Sequence, residues 1–321
     1  MSHEAIEVME LRKQFGSNGS TVYAVDGVSF AVRAGEIFSL LGPNGAGKTT
    51  TISMLSCLLR PTGGDARIYG HSIRQDAMAV KSVLGVVPQD IALYEDLTAR
   101  ENLMFWGHMY DLSGALLKKR VAEVLEIIGL ADRQNERVGK YSGGMKRRVN
   151  IGVALLHRPK VIYMDEPTVG IDPQSRRNIL DSVVALKQQG ITVLYTTHYM
   201  EEAEEISDHI GIMDHGKVVA CGTNAELVQT VGAMDRIRLT VNAEAALVLE
   251  HWKAMAGVQQ VTVNEGAEGA GLTLLVDDSN RVLPRLFESA AAAKVRITSV
   301  EVQEPNLEAV FLHFTGRALR D

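Results

Sequence analysis

Apolar and polar side chains alternate from about residue 5 to residue 40, around glycine-rich turns, and this period predicts antiparallel strands. The run Ile37-Phe38-Ser39-Leu40-Leu41 breaks the alternation and predicts a strand buried on both faces. Beyond it, Ile52, Leu55, Leu58 and Leu59 recur at helical spacing from a start near Lys48. From residue 90 to about 158 the period is helical throughout, with Leu103, Trp106, Met109 and Tyr110 on one side and Val121, Val124, Leu125 and Ile128 on another. A further helix, Val149 to Leu156, stops before Pro159. Short bulky runs at Val161 to Met164 and Ile191 to Thr197 predict parallel strands, and strand–helix alternation continues to about Val219. After a helix at Asn224 to Val231 the rhythm changes. Strands are expected at Arg236 to Val241, Val258 to Val263, Leu272 to Val276 and Val295 to Val302, with helices at Ala245 to Met255 and Arg281 to Ala293. That βαββαβ order predicts a small α+β domain of ferredoxin-like type.

The strand ending at Leu41 runs into Gly42-Pro43-Asn44-Gly45-Ala46-Gly47-Lys48-Thr49, with Thr50 beside it. This is the pattern G-x-x-x-x-G-K-[ST] in the context that gives it meaning, after a strand and before a helix. The glycines let successive backbone N–H groups converge on one anion, and the positive end of the helix adds to the same point. Lys48 reaches the β- and γ-phosphates of a nucleoside triphosphate, and the Thr49 hydroxyl suits the accompanying Mg2+. A second cluster lies at the end of Val161-Ile162-Tyr163-Met164, which runs into Asp165-Glu166. Adjacent carboxylates at the carboxyl edge of a buried strand are costly without cationic or catalytic work. Asp165 fits a Mg2+ ligand acting through water, and Glu166 fits the group that polarises the attacking water.

Between the two clusters, Tyr141-Ser142-Gly143-Gly144-Met145 precedes Lys146-Arg147-Arg148, and Ser142 reads as a helix N-cap with free backbone donors behind it. Here the chain resembles the ATP-binding subunits of ABC transporters, whose signature is usually Leu-Ser-Gly-Gly-Gln. Tyr141 and Met145 depart from it; Ser142, Gly143 and Gly144 keep it. The resemblance extends to Gln89 as the Q-loop, Gly170-Ile171-Asp172-Pro173 as the D-loop and His198 as the switch histidine. The YSGGMKRR form, with Pro305-Asn306-Leu307-Glu308-Ala309-Val310-Phe311 and Thr315-Gly316-Arg317 near the end, is similar to the type-2 exporters of bacteria, daunorubicin-resistance-like drug-efflux ATPases among them.

The resemblance implies an α/β P-loop NTPase of ABC ATPase type over residues 1–232, with an antiparallel β subdomain and a helical subdomain at about 90–158. Residues 233–321 then form the ferredoxin-like domain, either regulatory and dimer-stabilising or a structural appendage. It also implies two chains closing head to tail on two ATP molecules. Each site takes Lys48, Thr49, Gln89, Asp165, Glu166 and His198 from one chain and Ser142 to Gly144 from the other, with Asp172 between the sites. Gln89 joins Thr49 and Asp165 at Mg2+ and reports to a polytopic membrane permease whose helix enters the groove beside it. Phe15, or alternatively Tyr23, stacks on adenine.

Composition narrows the setting. The 321 residues, 46% hydrophobic and 5% aromatic, suit an aliphatic chain of two domains. No run approaches the roughly 18 apolar residues of a bilayer span, and the acidic start of the chain lacks the layout of a secretion signal. The expected place is the cytoplasmic face of the inner membrane, reached through the permease. Cys57 and Cys221 are expected as buried, reduced thiols, and a net charge of -6 argues against a general nucleic-acid coat, with no nucleic-acid partner expected. Two other readings share the same motifs: an importer subunit, and a soluble ABC ATPase working on ribosomes or DNA.

Overall fold

The three unbroken apolar runs lie side by side in one sheet. A computed structural model describes residues 4–16, 22–230, 234–242, 246–264, 270–303 and 306–315. Strands β1 (Glu4–Phe15) and β2 (Val22–Arg33) precede β3 (Ile37–Leu41), α1 (Lys48–Leu55), β4 (Gly63–Ile68), β5 (His71–Ser72), α2 (Ala77–Val83) and β6 (Leu84–Val87). Helices α3 (Ala99–Met109), α4 (Gly114–Ile127) and α5 (Gly143–Leu155) follow. Then come β7 (Val161–Asp165), α6 (Pro173–Gln188), β8 (Thr192–Thr197), α7 (Met200–Ile206), β9 (His209–Asp214) and β10 (Lys217–Gly222).

The central sheet has the order β10-β9-β3-β8-β7-β6 and is parallel except for β10. Its side chains divide between two cores by the alternation of a strand. Ile162, Met164, Val193 and Tyr195 enter a core shared with α3 to α6. Val161, Tyr163, Leu194, Phe38 and Leu40 enter another, shared with α1 and the antiparallel sheet β2-β1-β4-β5. Covering both faces explains why these strands read as continuous apolar runs, each large side chain contributing about 1.5–3 kcal/mol.

The helical stretch expected from residue 90 begins only at Ala99; residues 90–97 carry no helix. The start is set by a capping box, in which Thr98 accepts from Glu101 N–H and the Glu101 carboxylate accepts from Thr98 N–H. Strand β4 had no signal in the apolar pattern, because Gly63, Gly64 and Asp65 occupy half of it.

The chain divides into two compact units between Asn224 and Ala225, earlier than the expected boundary at 232, because most of α8 (Asn224–Thr230) groups with the second unit. That unit contains β11 (Asp235–Val241), α9 (Ala246–Lys253), β12 (Val258–Asn264), β13 (Ala270–Val276), α10 (Ser279–Ala292), β14 (Ile297–Gln303) and α11 (Leu307–Thr315). The sheet order β12-β13-β11-β14, antiparallel throughout, is ferredoxin-like. Its core joins Ile237, Leu239, Leu272 and Leu274 to Trp252 of α9 and Leu286 of α10. Helix α11 was not anticipated; Leu307, Val310 and Phe311 are its buried face. The expected helix ends at Val231 and Ala245, and the terminal residues Pro305, Gly316 and Arg317, lie outside the described residues.

Trp252 is fully buried, and its Nε1 donates to Ser289 Oγ at 3.1 Å. Trp252→Ala should destabilise the second unit by about 3–5 kcal/mol. Hydrogen exchange should quicken across residues 235–303, while ATP affinity in the first unit stays unchanged in a nucleotide titration.

Candidate active site

Four adjacent parallel strands, in the order β3-β8-β7-β6, end at the same edge of the sheet. Leu41 pairs with Thr197, Asp165 with Thr196, and Val87 with Met164. The residues that follow these ends are Gly42, His198, Glu166 and Pro88-Gln89. Motifs more than a hundred residues apart in the chain thus converge where open α/β sheets bind ligands.

A cavity of about 410 Å3 opens at this edge, lined by Asn44, Gly45, Gly47, Lys48, Thr49, Thr50, Gln89 and Glu166, with Ala24 of β2. The loop demands glycine at position 47. Its φ is +106°, and a Cβ there would stand 2.4 Å from the Ala24 carbonyl oxygen. Lys48 Nζ donates to the carbonyls of Gly42 at 2.5 Å and Pro43 at 3.0 Å, and pairs with Glu166 Oε1 at 3.0 Å. Ala46 is buried beneath the loop.

Lys48 and Glu166 are 4% and 6% exposed, so each charge depends on its partners. His198 Nδ1 lies 3.3 Å from Glu166 Oε2, outside hydrogen-bond geometry. Thr196 Oγ1 joins the carboxylate pair: it accepts from Glu166 N–H at 3.0 Å and donates to Asp165 Oδ1 at 2.6 Å. Glu166 itself has φ +44°, before Pro167, where an extended backbone is usual. A strain of about 1–3 kcal/mol held at one residue is characteristic of functional positions. The oxygen donors here, Thr49 hydroxyl, Gln89 amide and Asp165 carboxylate, match a hard divalent cation that takes few protein ligands and completes its shell with water and phosphate.

Ser142, Gly143, Gly144 and Asp172 form a separate group outside the cavity lining. Ser142 caps α5, accepting from Met145 N–H at 3.3 Å, and Asp172 caps α6, accepting from Ser175 N–H at 2.9 Å. The Ser175 N–H holds the Asp172 carboxyl below the usual carboxylate range. A Cβ on Gly144 would stand 2.3 Å from Ser175 Cβ, so the two helix starts pack together only with glycine there.

The departures from the usual signature have a physical account. The Tyr141 hydroxyl donates to the Arg133 carbonyl at 2.6 Å, the Arg133 guanidinium lies over the Tyr141 ring, and the same guanidinium reaches Met145 Sδ at 3.4 Å. Arg147, of the Lys146-Arg147-Arg148 run, is 3% exposed and donates to the carbonyls of Pro88 and Gln89 at 2.6 and 2.5 Å. Phe15 stands outside the cavity lining, half exposed beneath Lys13 and paired with Val22, next to the exposed Tyr23. Beyond Gln89, Ile91 and Tyr94 are exposed, with the Tyr94 ring edge-on to Phe105.

The family model described as ABC transporter matches residues 25–169. The linearmycin resistance ATP-binding protein of Bacillus subtilis (strain 168) is 47% identical over 98% of this chain and 100% of its own length. The daunorubicin/doxorubicin resistance ATP-binding protein of Streptomyces peucetius is 37% identical over 99% and 94%. The Nod factor export ATP-binding protein I of Paraburkholderia xenovorans (strain LB400) is 38% identical over the full length of both. Among solved structures, an ATP-binding cassette in a dimeric post-hydrolysis state bound to ADP and Pi is similar with a TM-score of 0.61 at 28% identity, covering 68% of this chain and 98% of that one.

Replacing Thr196 by valine keeps its shape and removes both site hydrogen bonds. Thr196→Val should lower unfolding stability by about 1–3 kcal/mol, as expected when buried polar groups lose a partner. A urea titration with an unchanged m-value checks this.

Proposed function

The chain belongs to the ABC transporter family as an ATP-binding subunit, and from that premise we propose that it hydrolyses ATP to power export of a substrate through a separate membrane permease. The observation that carries the reading is the buried chain of contacts from the loop carbonyls of Gly42 and Pro43 through Lys48 and Glu166 to His198. This arrangement gives a cation for phosphate, a carboxylate for water and an imidazole beside that carboxylate.

A γ-phosphate entering the loop competes with Glu166 for the Lys48 ammonium. The pairing that keeps Glu166 buried and neutralised is then relieved, and its carboxylate is free to orient and deprotonate water. His198, beside Glu166 Oε2, holds water and phosphate in line. Thr49, Gln89 and Asp165 would hold Mg2+, which would supply positive charge against the phosphates. Phe15, or alternatively Tyr23, stacks on adenine.

The start of α5, where Ser142 and Gly143 are exposed and Gly144 is buried, supplies the missing anion contacts to the nucleotide on a second copy of the chain. Two chains therefore close head to tail, and loss of the γ-phosphate reopens them. Asp172, at the start of α6, whose Ser175 lies against Gly144, communicates between the two sites. Arg147 ties the α5 helix to the Gln89 backbone, and the exposed Ile91 and Tyr94 next to it receive the permease. The first unit, up to Asn224, is the ATPase domain, with its helical subdomain at about 90–158, and the second unit, from Ala225, prolongs the closed pair by keeping two chains near one another. Among the described residues no helix is long and apolar enough to cross a membrane. The proposed place of the chain is the cytoplasmic face of the inner membrane, reached through the permease.

Lys48→Ala should lose tight ATP binding in a fluorescent-nucleotide titration, whereas Glu166→Gln should bind ATP and slow phosphate release by about 10²–10⁴-fold. A Glu166→Gln chain that turns over normally removes Glu166 from the chemistry. Expressed with its permease, the chain should sediment with membranes, and Tyr94→Glu should release it. Recovery with ribosomes or DNA instead overturns the transport reading.

A further inference from the structure

Glu202 on α7 is 1% exposed, and both of its oxygens are saturated from three different segments of the chain. Oε1 accepts from Thr168 Oγ1 at 2.7 Å and from Arg176 Nε at 2.6 Å. Oε2 accepts from the Tyr195 hydroxyl at 2.9 Å and from Thr197 Oγ1 at 2.8 Å. Burial, and then the charge of Glu202, push the Tyr195 hydroxyl well above its ordinary range, which keeps it a donor.

Each donor belongs to a segment of the site. Thr168 lies in the turn after Glu166, where Val169 N–H returns to the Glu166 carbonyl. Arg176 is in the first turn of α6, one hydrogen bond from Asp172, whose carbonyl accepts its N–H at 2.8 Å. Tyr195 and Thr197 are on β8, which ends at His198. Thr197 Oγ1 also accepts from Tyr199 N–H at 2.9 Å, and its carbonyl accepts from Gly42 N–H at 3.3 Å. A second route reaches the histidine through packing. The Arg176 guanidinium lies 4.1 Å over the Tyr199 ring, and that ring is 4.2 Å from the His198 ring.

We infer that Glu202 is a positioning residue: one carboxylate that locks the turn carrying Glu166, the helix led by Asp172 and the strand leading to His198 into a single frame. The inference rests on the roles given above to Glu166, Asp172 and His198. Only a carboxylate with a glutamate's reach accepts four donors here. An amide of the same size offers N–H groups to two hydroxyls that now donate, and loses the charge that holds Arg176. The backbone strain at Glu166 persists because its surroundings over-determine it, and the Thr168 contact is one of those restraints.

The test uses the full chain, with steady-state phosphate release over a range of ATP concentrations, a fluorescent-nucleotide titration and thermal melting. Glu202→Gln should lower kcat by about 10- to 100-fold, the loss expected when reacting groups shift by about an ångström, with KM for ATP and nucleotide affinity unchanged. Arg176→Met, which leaves the three hydroxyl donors in place, should lower kcat less, and the double variant should fall short of the product of the two. A folded Glu202→Gln chain with unaltered kcat overturns the inference, as does a parallel loss of kcat and nucleotide affinity. Where Glu202→Gln fails to fold, Arg176→Met decides: unchanged kcat overturns the inference, and a fall at constant affinity supports it. Absence of hydrolysis in the unsubstituted chain overturns the ATPase reading itself and is distinguishable from both.

Discussion

The parallel register of β3, β8, β7 and β6 is the constraint on which the site depends. Because Leu41 pairs with Thr197 and Asp165 with Thr196, the phosphate loop, the switch histidine and the paired carboxylates leave the sheet at one level. A one-residue slip would exchange the faces of a whole strand, sending Tyr163 and Leu194 into the wrong core. The packing of two distinct cores against the two faces thus fixes which backbone groups meet at the edge. Side-chain chemistry follows from that edge: Thr196 bridges Asp165 and Glu166 only because it lies opposite Asp165 in the ladder.

Burial at this edge makes the charges interdependent. Lys48 and Glu166 are too deeply placed to be stable alone, so anything that takes one partner changes the energy of the other. In the mechanism proposed above, an anion drawn to Lys48 competes with Glu166, so that binding and readiness for chemistry are coupled without a separate moving part. The Ser142–Gly144 segment and Asp172 are linked differently. Gly144 packs on Ser175, and Arg147 holds the carbonyls of Pro88 and Gln89, so the start of α5 is tied both to the D-loop helix and to the segment beside the cavity. The Tyr141 and Met145 side chains both engage Arg133, and the capping of α5 by Ser142 is intact beside them.

Much of the fold was legible because its signals are local. The run Ile37 to Leu41 carries its own evidence of burial, and the βαββαβ rhythm after Arg236 appears as a four-stranded antiparallel sheet with α9 and α10 on one core. The elements that escaped notice have the opposite character. Strand β4 is built on Gly63, Gly64 and Asp65 and exists through its pairing with β1, a partner more than fifty residues away. The late start of α3 depends on one reciprocal pair of hydrogen bonds at Thr98 and Glu101.

The same distinction governs the site. Lys48, Glu166 and Ser142 announce themselves because each sits in its own short motif, with its neighbours in the chain as the signal. Glu202 does not. It stands in the acidic helix Met200-Glu201-Glu202-Ala203-Glu204-Glu205-Ile206, where a run of carboxylates reads as a solvated face, and only the fold makes one of the four different from its neighbours. Its donors come from positions 168, 176, 195 and 197, which no pattern in the chain connects. Arg147 is hidden in Lys146-Arg147-Arg148 for the same reason. Groups that touch substrate are constrained by the substrate and recur as motifs. Groups that hold those groups are constrained by the tertiary structure alone: the buried carboxylate of Glu202 gathers donors from positions 168, 176, 195 and 197, and the buried guanidinium of Arg147 ties α5 to the carbonyls of Pro88 and Gln89.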